Sequence, residues 1–204
     1  ATHCIRRDEK QAGALAVEKA AERGYRRLVF ICSDESDQHY SGPERLHGAE
    51  ETAAHLNLPF EALPVCPWSP HVDWEAIGPC LCPNTAVIAG GYHTQWLVSQ
   101  VGLPGRISGR AYGLVCCESN EMLRRSVPQL SRVEFYRYKF GVEVAQMTLR
   151  ALADPPEDCS SVRTPSEWHE GSTLPPVDTS GRVCNHPRSV TAETPERNLA
   201  GKAP

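Results

Sequence analysis

Nine cysteines and eight histidines are the residues of this 204-residue sequence whose types could ligate a metal or attack a substrate, so their spacing comes first. Cys66, Cys80 and Cys82 lie near His71. Zinc frameworks pair their ligands as Cys-x2-4-Cys and spaced histidines, and a single C-x-C fits none of them, so no metal site is expected. Cys4, Cys32, Cys116 and Cys117 sit inside or beside apolar strand-like runs, where a free thiol behaves as a small buried hydrophobe. His93 has no evident partner in sequence that would make it a general base, and a Cys-His pair can always be drawn from so many of both. The sequence holds no G-x-S-x-G, no G-x-G-x-x-G after a strand and no P-loop. An α/β enzyme therefore stands only as an alternative, and no cofactor is expected.

The elements that would position any chemistry are those of an ordinary globular protein. Forty per cent of residues are hydrophobic and 23% charged, enough apolar material for one domain or two small lobes. A net charge of −4 argues against a free-standing nucleic-acid binder, because phosphate contacts need clustered Lys and Arg. There is no apolar run near the ~20 residues of a spanning helix and no basic-then-apolar leader, so no membrane is expected and the location is read as cytoplasmic. A stand-alone binding protein of transport type, which needs such a leader, is a further alternative. The chain starts at Ala1 with helical and strand patterning already under way within ten residues, as expected of a fragment or processed product.

Helical and strand patterns then alternate. Asp8 is a candidate N-cap for a helix over Gln11 to Arg23, followed by Gly24 and the apolar run Arg27 to Cys32. After a polar loop, Pro43 reads as a first helical position, and Leu46, Ala49, Ala53 and Leu56 recur at helical spacing. Further strands are expected at Phe60 to Val65, Thr85 to Ala89, Tyr112 to Cys116 and Ser131 to Phe135. Helices are expected at Trp74 to Ile77, at His93 to Val101, after Ser119 and at Phe140 to Ala153. The last of these should bury Val144, Ala145, Thr148 and Leu152 and stop at Asp154-Pro155-Pro156. The fold class is thus α/β, a doubly wound, mostly parallel sheet with helices on both faces, whose ligands bind beyond the carboxyl ends of the strands. Residues 177–204, rich in Pro, Ser, Thr and charge, read as a disordered tail.

The order of motifs resembles the effector-binding core of LacI/GalR-type transcriptional regulators. The pieces are a D-x4-G-A-x-A helix ending in R-G-Y-R-R-L-V-F (Arg23 to Phe30), P-E-R-L-H-G (Pro43 to Gly48) and T-A-V-I-A (Thr85 to Ala89). They continue with V-P-Q-L-S-R-V (Val127 to Val133), a helix containing Gly141 and the ending E-G-S-T-L-P-P (Glu170 to Pro176). The resemblance implies a periplasmic-binding-protein-like lobe over residues 5–132 and 160–173, plus part of a second lobe, a remnant over 133–159. It also implies that the DNA-binding headpiece and the opening half of the first lobe are missing, so that residues 133–153 expose apolar surface. DNA would be bound only through that headpiece, in an intact protein that forms a homodimer. The implied function is that of a sensor in which a small, sugar-like effector binds between lobes and biases a closed state, rather than that of a catalyst.

The resemblance also assigns candidate effector contacts. Arg45 falls on the effector-facing Arg of the R-x-x-G step, where a planar guanidinium suits carboxylates or vicinal hydroxyls; the alternative is a surface Arg at a helix N-terminus. Ser41, four residues earlier, offers a hydroxyl or is a simple turn residue. Glu118 takes the place of a family Asp that accepts hydrogen bonds from sugar hydroxyls; otherwise it is a solvated strand-end Glu. Trp74 and Phe135 fall where the family places groups touching the ligand, although aromatics in α/β folds are more often core. The family's A-N-D-x-x-A step is replaced by Gly90-Gly91-Tyr92-His93, leaving Tyr92 or His93 in place of its Asn.

Overall fold

Asp8 opens the first helix as its spacing predicts, its carboxylate accepting the Gln11 N–H at 3.1 Å. The computed structural model describes residues 4–33, 39–66, 77–99, 108–118, 120–126, 128–153 and 161–178. In chain order its elements are β1 (Cys4–Arg7), α1 (Glu9–Glu22), β2 (Arg27–Cys32), α2 (Ser41–His55), β3 (Phe60–Pro64), a 3-10 turn (Gly78–Cys80), β4 (Thr85–Ala89) and α3 (Gly91–Ser99). They continue with β5 (Gly113–Cys116), α4 (Glu121–Arg124), β6 (Ser131–Glu134), α5 (Arg137–Ala153), β7 (Ser161–Thr164) and β8 (Glu167–His169). Helix α2 begins two residues before the proline that was expected to open it, so Pro43 sits third in the helix, where its missing N–H still costs no intrahelical bond.

Six strands form one sheet in the order β3-β2-β4-β5-β6-β8, parallel except for β8 at the edge. Alternating side chains divide the core. Leu28, Phe30, Ile88, Val115 and Val133 face α1 and α2, whereas Ile31, Val87, Leu114 and Cys116 pack on the other face with Leu97 and Leu123 of α3 and α4. This is the doubly wound α/β arrangement. α1 and α2 cross closely, because Gly13 rests against the Arg45 carbonyl and Gly48 against that of Lys10, with no room for a Cβ at either place.

Several expectations need correction. β6 lies wholly in the six-stranded sheet, with Val133 and Glu134 paired to Trp168 and Glu167, so a lobe boundary between residues 132 and 133 would cut a strand. β1 and β7 instead pair with each other in a separate two-stranded sheet. Helix α5 fully buries none of its residues: Leu152 is 76% exposed and Leu149 67%, whereas Phe140, Val144, Met147 and Ala151 are half-buried and Glu143 accepts the Thr164 hydroxyl of β7. Cys4 is exposed, not core. Residues 177 and 178 are not part of a disordered tail, as Val177 donates its N–H to the Arg23 carbonyl at 2.8 Å and packs against the core. The segments at 74–76 and 179–204 lie outside the described residues.

Candidate functional site

Chain order reverses between β2 and β4, the place in an open α/β sheet where loops diverge and leave a crevice beyond the carboxyl ends. A cavity of about 360 Å³ occupies that place. Its floor comes from Cys32 and Ser33 at the end of β2, Gly90 and Gly91 after β4, and Glu118 after β5; one wall comes from His39, Ser41 and Arg45, and another from Tyr92 and His93. Four of the six residues assigned to the effector, Ser41, Arg45, Tyr92 and Glu118, thus share one cavity. Phe135 does not line it: it is buried, with the Arg7 guanidinium 5.0 Å from its ring centroid, beside a separate small opening shared with Arg137 and Phe140. Trp74 lies outside the described residues.

The site's electrostatics centre on Glu9, which sequence reasoning missed. This fully buried carboxylate accepts the Arg45 Nε–H at 2.5 Å. The Arg7 Nη2 stands 2.8 Å from its other oxygen, close enough for an ion pair but off the axis of a hydrogen bond. Burial works against the Arg45 charge, yet the bond to Glu9 prevails and leaves its pKa above the ordinary value. Opposite, the Glu118 carboxylate accepts the Gly91 N–H at 2.7 Å and so caps α3. Ser41 Oγ lies 2.7 Å from His39 Nδ1. His93 donates its Nε2–H to the Val65 carbonyl at 3.0 Å, a bond that ties the end of β3 to α3.

A larger opening of about 510 Å³ lies over β6 among Arg124, Arg132, Glu134, Arg137 and His169. It stands away from the reversal point, and the buried Glu134 engages both Arg124 and Arg132. Among the described residues no group of three or more His, Cys, Asp or Glu is placed to hold a metal. None of their helices is long and apolar enough to cross a membrane.

The model of the family described as periplasmic binding protein-like domain matches residues 17–174. This chain belongs to that family. Solved structures share the fold of this periplasmic binding protein-like domain. A LacI family transcriptional regulator from Enterococcus faecium with bound ribose has a TM-score of 0.66 at 16% identity, over 87% of this chain and 66% of its own. A LacI transcriptional regulator from Lactobacillus brevis has a TM-score of 0.64 at 20% identity, over 81% of this chain and 64% of its own. A periplasmic binding protein/LacI transcriptional regulator from Alkaliphilus metalliredigens, complexed with D-xylulofuranose, has a TM-score of 0.65 at 11% identity, over 84% and 65%. The chain therefore spans just under two thirds of the length of each. No curated protein sequence matches it.

Proposed function

We propose that this chain is the sensing part of a LacI-type transcriptional regulator and that the cavity between β2 and β4 binds a small sugar-like effector. The observation that carries this reading is the meeting of Ser41, Arg45, Tyr92 and Glu118 at the reversal point of the sheet. Guanidinium donors on one side and a carboxylate acceptor on the other match hydroxyl groups, each of which donates and accepts. Relatives of the same fold hold ribose and D-xylulofuranose, which supports a sugar for this chain too. In the intact regulator a separate headpiece contacts DNA, two chains associate, the protein works in the cytoplasm, and effector binding shifts a conformational equilibrium rather than driving chemistry.

The test is thermal unfolding of the protein with a panel of neutral pentoses and hexoses, alongside Arg45→Ala. A ligand present at a hundred times its Kd stabilises by about 2.7 kcal/mol, which for ~200 residues raises Tm by roughly 5–11 °C. Saturable stabilisation that Arg45→Ala abolishes is expected. A panel with no response in the wild type removes the reading.

A further inference from the structure

The cavity carries a charge arrangement that the sensing role does not by itself require. Two guanidiniums, Arg7 and Arg45, meet two carboxylates, Glu9 and Glu118, so the charges of these four groups cancel. Glu9 is fully buried, and no ligand reaches it. It touches both arginines at once and therefore acts through them.

We propose that Glu9 is a positioning residue that fixes the charge selectivity of the cleft, holding Arg7 and Arg45 as neutralised donors so that the site takes an uncharged polyhydroxyl ligand and rejects small anions. This rests on reading the cavity as the ligand cleft. With its Nε–H given to Glu9, Arg45 keeps the Nη edge of its fork for vicinal hydroxyls. An anion in the same place loses its hydration and meets the arginine charges already answered by Glu9, with the Glu118 carboxylate facing it, so desolvation is not repaid. A polyol does not lose hydration on that scale. It donates to the Glu118 oxygens and accepts from Arg45.

Removing the Glu9 charge while keeping its shape should convert the cleft into an anion site. The experiment follows the Arg45 Nε–H and Gly91 N–H resonances during titration with sodium sulfate against sodium chloride at equal ionic strength. It compares the wild type, Glu9→Gln and the pair Glu9→Gln/Arg45→Gln. In the wild type sulfate should shift neither resonance beyond the chloride control. In Glu9→Gln it should bind at least about tenfold more tightly than in the wild type, moving both resonances; in the pair, the Gly91 response should be lost. A wild-type cleft that binds sulfate, a folded Glu9→Gln that gains nothing, or a gain that persists in the pair overturns the proposal. If Glu9→Gln does not fold, the wild-type arm still decides, since a sulfate response there is enough to sink the idea and its absence supports it. The outcome is independent of any sugar: a cleft that answers no sugar removes the sensing reading, whereas a wild-type sulfate response removes only this one.

Discussion

The Glu118 carboxylate accepts the Gly91 N–H at 2.7 Å, joining the loop after β5 to the first turn of α3 across the floor of the cleft. A Cβ on residue 91 would collide with Glu118 Oε2 and stand 3.0 Å from its Cδ. The side chain can swing away, so Gly91→Ala should not unfold the protein, but the carboxylate then leaves its cap and, with the cavity read as the proposed sugar site, its place beside the ligand. Loss of an N-cap costs about 1 kcal/mol. We expect Tm to fall by only a few degrees while affinity for a stabilising sugar falls by about tenfold or more, because a carboxylate hydrogen bond is worth roughly 1.5–3 kcal/mol. Unchanged affinity in the variant, measured by calorimetry, would show that Glu118 is a cap and nothing else.

The crossing of α1 and α2 allows a sharper forecast. Helix propensity favours alanine over glycine by about 1 kcal/mol. At Gly13 and Gly48, however, the new methyl would meet the carbonyl groups of Arg45 and Lys10, which are backbone and cannot rotate away. Overpacking of this kind typically costs about 1–3 kcal/mol, and here it should exceed the propensity gain. Each alanine variant should unfold at lower urea than the wild type. Since the Gly13 contact is with the residue that donates to Glu9, Gly13→Ala should also weaken sugar binding. A rise in the urea midpoint for either variant would mean that the helices part without cost.

What the sequence made legible follows the range of the forces involved. β2 and β4 were placed at their observed limits because Arg27–Cys32 and Thr85–Ala89 are short apolar runs bounded by polar loops, a local signal. Ser41 and Arg45, which line the cavity, were assigned through the order of motifs. Glu9 was not, because an acidic residue in a first helical turn already has a sufficient local reason, its favourable position on the helix dipole. Only the approach of α2, 36 residues on, makes it a buried counter-ion. The error at α5 has the opposite origin: periodicity tells which stripe of a helix is apolar but not whether another element covers it.

Burial raises the Cys116 thiol pKa, at the end of β5, to about 11 and that of Cys117, just past it in the opposite half of the core, to about 12, from an ordinary value of 9.0. In the unfolded chain both thiols ionise near their ordinary value, while the folded chain keeps its protons, so the folded state binds more protons in that interval. Stability is therefore full below about pH 9 and declines as pH rises toward 12, by up to ~1.4 kcal/mol per pH unit for each thiol. The buried tyrosines Tyr25 and Tyr112, also raised by burial, add to the decline at the alkaline end. Urea midpoints taken between pH 7 and 10.5 should be level and then fall, and Cys117→Ala should flatten the fall. At pH 8, iodoacetamide should label the exposed Cys4 and spare Cys116 and Cys117 until the protein unfolds. Rapid native labelling of Cys117 would show that β5 opens locally.

Helix α5 supports a prediction in which stability and solubility part company. Leu149 and Leu152 are 67% and 76% exposed, so replacing them removes little buried area. At about 25 cal/mol per Å² of apolar surface buried, the loss is a small fraction of the 2–5 kcal/mol that a core leucine truncation costs. The same residues, with Val142 and Tyr138, form an apolar strip on the surface of the isolated chain, and such strips drive association. Leu149→Lys with Leu152→Glu should leave Tm within a few degrees of the wild type while reducing light scattering at high concentration. A loss of several kcal/mol on making this pair would show that α5 is covered in solution, and the strip would then have to be an interface already in use rather than one left open.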